Sequence, residues 1–187
     1  MKIHIIGAAG SGTSSIGKYI ASKHNYKQIE SDYYAWKLTD PPFSEYRDAK
    51  ESQALLKEVF EAYENLVLCG SIAKWGQEFA REFDLVIFLK APTRVRVKRL
   101  KEREFFLHGN RVLPSGDMHD NFVNFLWYAK HYNRGDLSFR SLALHKKFIK
   151  DFISCPVLKV NTNKNFKKIY SKIDKTIAKI DKMLKNI

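Results

Sequence analysis

Gly7, Gly12, Thr13 and Ser14 form the first constellation in this chain whose residue types and spacing suit chemistry. In "GAAGSGTS" the outer glycines stand five apart and a hydroxyl follows two positions later. That is the phosphate-wrapping pattern G-x-x-x-x-G-K-[ST], met everywhere except at the lysine, where Thr13 stands. Glycines at Gly7, Gly10 and Gly12, with Ser11 between them, let backbone N–H groups turn toward phosphate oxygens. A helix starting at Thr13 adds unpaired donors and the positive end of its dipole. The loop is then expected to hold ATP and Ser14 to hold Mg²⁺. A dinucleotide turn needs G-x-G-x-x-G and an acid about 20 residues on. Asp32 meets the second requirement, but Ser15 stands where the third glycine belongs.

The residues after the next apolar runs supply the other half of a reaction. Asp32, in "SDYYAW", is a carboxylate suited to take a proton from a substrate hydroxyl or to hold a metal's water shell. After Leu66–Cys69 comes "GSIAKWG". Gly70 and Ser71 offer a close backbone approach, Lys74 a cation, and Trp75 with Trp36 the walls of a pocket. Arg96, Arg99 and Arg103 share one helix face at i, i+3 and i+7. Arg111, Arg134 and Arg140 follow. Phosphoryl transfer asks for positioning and positive charge, and forked guanidiniums suit charge spread over oxygens. Arg103 and Arg140 are the preferred functional arginines, whereas Arg94 and Arg96 are expected to be solvated. His108, His119 and His131 with Asp117 and Asp120 lack metal-ligand spacing. Asp117 is expected instead to cap a helix opening at Met118.

These groups need a frame. Apolar runs at 2–6, 26–30, 66–69, 84–89 and 156–160 read as strands, with helical stretches at 13–24, 48–64, 74–82 and 92–104. The alternation predicts an α/β fold with a parallel five-stranded sheet covered on both faces. Ligands in such a sheet sit beyond the C-terminal ends of the strands, where the residues named above fall. From Phe105 to Ile153 the rhythm breaks around Gly109, Pro114, Gly116 and Gly135, with helices expected over 118–132 and 138–152. This interval, about 105–153, is expected to be a helical lid inserted in a single domain spanning 1–187.

Composition bounds the classes. Hydrophobic content of 44% and charged content of 28% describe a soluble globular chain. No apolar run approaches the roughly 18–20 residues of a membrane span, and the first residues are too glycine-broken for a signal peptide, so a cytoplasmic location is expected. Cys69 and Cys155 are read as reduced structural thiols. Much of the net charge of +13 lies between Lys164 and Lys185, where eight lysines face Asp174 and Asp181. Ile169, Ile173, Ile177, Ile180 and Leu184 recur there at helical spacing, predicting one amphipathic helix with a solvated lysine face. A nucleic-acid partner is the weaker reading, because arginines and exposed aromatics are scarce on that face. The expected partner is a small-molecule phosphoryl acceptor, bound by a monomer or homodimer.

Taken together, "GAAGSGTSS" and "RLKERE" resemble the adenylate-kinase-like P-loop kinases, a group including adenylate, shikimate and gluconate kinases. "RLKERE" is similar to the R-L-x-x-R that opens their lid, which implies nucleotide contact by Arg99 and places Arg103 at the lid's start. "RGDLSFRSLALHKKFIKDFISCPVLKVN" resembles the lid's close and the return strand, implying phosphate contacts by Arg134 and Arg140. The same resemblance puts Asn161, Thr162 and Asn163 beside the nucleotide base and implies a P-loop three-layer sandwich. With "SDYYAW", "DPPF", "GDMH" and "GDLS", the chain is similar to bacterial adenylate-kinase-related proteins of unassigned substrate. "CGSIAKWG" departs from the D-G-[FY]-P-R segment of adenylate kinases, which argues against that activity itself. Lys18 lies more than a turn into the helix and is expected to point away. Lys74 or a lid arginine is expected to replace the missing lysine.

Overall fold

The computed structural model describes residues 1–186. Its strands are β1 (Lys2–Gly7), β2 (Lys27–Glu30), β3 (Leu66–Cys69), β4 (Leu85–Lys90) and β5 (Val157–Asn161). Its helices are α1 (Thr13–His24), α2 (Ser31–Ala35), α3 (Ala49–Ala62), α4 (Thr93–His108), α5 (His119–His131), α6 (Leu142–Phe152) and α7 (Phe166–Leu184). The strands lie parallel in the order β2-β3-β1-β4-β5, with Ile3 opposite Val67 on one side and Leu85 on the other.

Alternation along the strands divides the core in two. Ile3, Ile5, Val67, Cys69, Leu85, Ile87 and Leu89 meet Ile16 and Ile20 of α1 and Ile169, Ile173 and Ile177 of α7. Ile6, Leu66, Leu68, Val86 and Phe88 face the other way, onto Leu56 and Phe60 of α3 and Phe148 of α6. Burial on both faces explains why these strands read as unbroken apolar runs. The expected α/β sandwich is therefore present, and α7 buries its isoleucines while its lysines stay exposed. Asp174 of α7 ties it to α1 by accepting from Tyr19 Oη at 2.8 Å and Lys23 Nζ at 2.7 Å. Among the described residues no helix is long and apolar enough to cross a membrane.

The differences from expectation are local. The helix expected over 74–82 is a 3₁₀ turn, Gln77–Glu82, because the Gly76 N–H closes a tight turn on the Ile72 carbonyl and leaves few residues before Phe83 is buried. The helix expected from Ser138 starts at Leu142. Ser141 caps it by accepting from Leu144 N–H at 3.0 Å, while Ser138 is held by Asp136. Phe148 draws α6 into the sheet's helical layer. Outside that layer, α4 and α5 pack on each other through Leu100, Leu126 and Ala129.

Candidate functional site

The loop from Gly7 to Ser14 joins the central strand β1 to α1. Gly10 and Gly12 adopt φ of 75° and 96°, left-handed values that side chains disfavour. A Cβ at Gly10 would also lie 2.6 Å from the Arg96 carbonyl, whereas at Gly12 it would meet open space. Ser11 N–H closes the turn on the Ala8 carbonyl at 3.0 Å. The Ser11 hydroxyl is fully buried and has no hydrogen-bond partner among the described residues. Behind the loop, Thr162 Oγ1 donates to the Ser11 carbonyl at 2.8 Å, and Arg99 Nη2 donates to the Thr162 carbonyl at 3.1 Å. Thr162 and Arg99 thus brace the loop's outer side. Asn161 accepts from Asn163 N–H at 2.9 Å and closes the turn after β5. Lys18 is exposed on α1, and Thr13 opens that helix.

Arg96 corrects the expectation of a solvated side chain. It is 1% exposed, the largest of the fully buried side chains. Its guanidinium donates to the carbonyls of Ala9 at 3.3 Å, Ala129 at 3.0 Å and Ala91 at 3.2 Å, and to Thr93 Oγ1 at 3.1 Å. Burial holds its pKa below the usual guanidinium value. Arg96 therefore pins the phosphate loop to the end of α5. Its i, i+3 relation to Arg99 was the available signal, since both reach the same loop. Arg94, one turn-position aside, is exposed as expected.

Ser14 Oγ donates to Glu30 Oε2 at 3.0 Å, and Gln28 Nε2 donates to Glu30 Oε1 at 2.7 Å. Burial raises the Glu30 pKa, the two hydrogen bonds oppose it, neighbouring Asp32 adds to it and Arg103 opposes it. Glu30 was missed in the sequence; its signal was the end of β2, two positions before Asp32. Asp32 lies in the first turn of α2, with Arg140 Nη1 at 3.9 Å from its Oδ1. Arg140 Nε is buried without a hydrogen-bond partner among the described residues. Arg103 is exposed and donates through Nε to Glu104 Oε1 at 2.8 Å. Arg134 is exposed in the turn after α5, which it stabilises through its backbone N–H to the His131 carbonyl.

The segment after β3 is tightly built. Gly70 adopts φ of 112°, and a Cβ there would fall 2.0 Å from Ser31 Oγ. Ser71 N–H donates to that same Ser31 Oγ at 2.9 Å. The Lys74 ammonium donates to the Ser138 carbonyl, linking this segment to the turn before α6. Trp75 packs against the sheet core, and Trp36 stacks on Tyr46 with ring centroids 3.6 Å apart. Two buried histidines complete the region and gave no sequence signal, because a lone histidine in an apolar run reads as core. His4 Nε2 donates to the Gly70 carbonyl at 3.1 Å, and His145 Nε2 lies 3.0 Å from Ser71 Oγ. Burial above all keeps both imidazoles neutral, bringing His4 down to about 4; the nearby Arg140 charge pushes both the same way.

Asp117 does not cap α5, which begins at His119 with Met118 at its cap position. Its carboxylate accepts from Arg111 Nε at 3.0 Å, and Arg111 Nη2 also reaches Asp40 at 2.6 Å. An arginine within reach of two carboxylates outcompeted the helix N-terminus for Asp117.

A glycine loop after the central strand of a parallel sheet, with a carboxylate just past the end of β2 and an arginine from the turn before α6 beside it, is the arrangement of a P-loop kinase fold. The chain belongs to the family described as AAA domain, whose model matches residues 3–105. It is 36% identical over 158 residues to the uncharacterized protein YqaC of Bacillus subtilis, covering 84% of this chain and 86% of that one. It is 32% identical over 120 residues to a cytidylate kinase of Methanocorpusculum labreanum, covering 56% of this chain and 63% of the relative. A deoxyadenosine kinase from M. mycoides shares the fold with a TM-score of 0.54 at 16% identity, over 96% of this chain and 100% of that one. A shikimate kinase from Aquifex aeolicus gives 0.50 at 19% identity, over 95% and 96%.

Proposed function

We propose that this protein is a cytoplasmic ATP- and Mg²⁺-dependent phosphotransferase acting on a nucleoside, a nucleotide or a small metabolite. The carrying observation is the Asp32–Arg140 couple at the same strand ends as the glycine loop. The loop fits a nucleotide's phosphates: two left-handed glycines, open space at the Gly12 Cβ position and a buried Ser11 hydroxyl without a partner.

ATP supplies the transferred phosphoryl group, and Mg²⁺ offsets its charge. Backbone N–H groups between Gly7 and Ser14 would hold the phosphates, and the Ser14 hydroxyl, once released from Glu30, would hold the metal. Arg99, Asn161 and Thr162 border the nucleotide. Asp32 takes the proton from the acceptor hydroxyl; Gly70, Ser71, Trp36 and Trp75 position the acceptor, while Lys74 fixes this segment to the turn before α6. Arg103 and Arg134 stand in for the positive charge that Thr13 lacks, since Lys74 is engaged at Ser138 and Arg140 lies beside Asp32 on the acceptor side. Of the interval 105–153, the part before α6 acts as a lid that excludes water around these groups, because α6 itself is packed into the sheet's helical layer.

Calorimetry with ATP, with and without Mg²⁺, tests the first half. Product detection tests the second, with CMP assayed first because cytidylate kinases are among the relatives, then nucleosides and hydroxy metabolites. Thr13 favours one second reading, a nucleotide-binding module without transfer. ATP binding with no product from any acceptor would select it. No ATP binding in the presence of Mg²⁺ would overturn both.

A further inference from the structure

Beyond β3 a chain of hydrogen bonds runs from the end of α5 through α6 to the half-buried Ser71. Tyr132 Oη lies 2.9 Å from His145 Nδ1, and His145 Nε2 lies 3.0 Å from Ser71 Oγ. Tyr132 and His145 are both buried. Proton placement follows from which groups lack alternatives. Among the described residues His145 Nδ1 is the one hydrogen-bond partner of the Tyr132 hydroxyl, so Nδ1 must accept or a buried O–H goes unpaired. A neutral imidazole accepting at Nδ1 carries its proton on Nε2. That N–H donates to Ser71 Oγ, and Ala73 N–H approaches the same oxygen at 3.5 Å. Among the described residues no other acceptor takes the hydroxyl's own proton, and Ser71, unlike Tyr132, is only half-buried, so that proton is open to a ligand.

The surroundings of that proton are rich in donors. Arg140 keeps a buried, unpartnered Nε–H, and its charge is felt at His145. The Ser71 backbone is anchored on Ser31, the neighbour of Asp32. Apart from the Asp32 carboxylate, 3.9 Å from Arg140 Nη1, the groups named here present hydrogens, and an oxyanion would suit Ser71 and Arg140 together.

We propose that His145, backed by Tyr132, is a positioning residue that presents the Ser71 hydroxyl as a fixed donor to an oxyanion of the acceptor molecule, with Arg140 completing the subsite. The assignment of this oxyanion to a phosphoryl acceptor rests on the kinase reading. Phosphate monoesters and carboxylates share the required chemistry. Asp32 remains free to receive the hydroxyl that is phosphorylated.

Ring-nitrogen and amide NMR on ¹⁵N-labelled full chain tests this. In the free protein His145 is expected as the Nε2–H tautomer, and Tyr132→Phe is expected to shift it toward Nδ1–H. With the loop filled by Mg²⁺·ADP, inorganic phosphate and acetate are titrated in turn. Either anion is expected to move the His145 ring and Ser71 amide signals, and the tighter one names the acceptor's anionic group. His145→Leu is expected to weaken anion binding about tenfold, while His145→Gln, whose amide N–H replaces Nε2–H, recovers most of it. An Nδ1–H tautomer in wild type, or anions that move neither signal in ADP-bound protein, would overturn the proposal. Failure to bind ADP would instead overturn the kinase reading, and with it the acceptor assignment; the tautomer, read without nucleotide, tests the proton placement separately.

Discussion

Arg140 Nη1 stands 3.9 Å from Asp32 Oδ1, although one precedes the cap of α6 and the other lies in the first turn of α2. Both side chains are partly exposed, so the pair adds little to stability. Its significance is the opposite charges it holds together beyond the strand ends, one suited to accept a proton and one to meet an anionic group.

Asp32→Asn is expected to lower transfer by about 10²–10⁴-fold while leaving ATP affinity nearly unchanged, since the carboxylate acts at the chemical step. An ADP-release assay beside calorimetry checks it. Equal losses in both, or none in either, would remove Asp32 from the reaction.

Arg140→Lys and Arg103→Lys keep the charge and lose the planar fork, and each is expected to cut turnover about tenfold or more. Steady-state rates with saturating ATP are the measurement. Wild-type rates in both variants would assign these arginines to the solvated surface.

Thr13→Lys is expected to strengthen Mg²⁺·ATP binding by restoring one ammonium, and Ser14→Ala to weaken it about tenfold. If an arginine already supplies that charge, turnover of Thr13→Lys stays level or falls. A large gain would show that the natural loop is short of charge.

Arg96→Met leaves the Ala9 and Ala129 carbonyls without their buried donor and is expected to cost about 2–4 kcal/mol of stability. Arg94→Met, on the exposed side, serves as control and is expected within about 0.5 kcal/mol of wild type. Urea midpoints decide it, and equal midpoints would deny Arg96 its bracing role.

His4 titrates at about 4 in the fold, below its ordinary 6.5, because burial disfavours the imidazolium. The folded state then binds fewer protons than the unfolded one between these values. Stability from neutral His4 is complete above about pH 6.5 and falls as pH drops toward 4, by roughly 3 kcal/mol in all. His145 is displaced in the same direction. Denaturation of wild type and His4→Asn across pH 7.5 to 4 should show a shallower slope in the variant. Parallel slopes would contradict it.

Short-range features were legible because consecutive residues encode them. Gly10 and Gly12 announce the left-handed turns they adopt, the apolar runs announce doubly buried strands, and the isoleucines of α7 announce its inward face. Even there, competition between neighbours shifted details, as when Ser141 rather than Ser138 capped α6. The site was legible as a set of residue types near strand ends, without their partners. That Arg96 lies inside and Arg94 outside, that Glu30 meets Ser14, and that Tyr132, His145 and Ser71 share protons are decided by packing. Backbone conformation and periodicity act over a few residues. Meetings between distant side chains depend on the strand order β2-β3-β1-β4-β5, which brings the ends of β1, β2 and β3 together, and on α6 docking against that sheet. Tertiary structure alone turned a list of polar residues into neighbours.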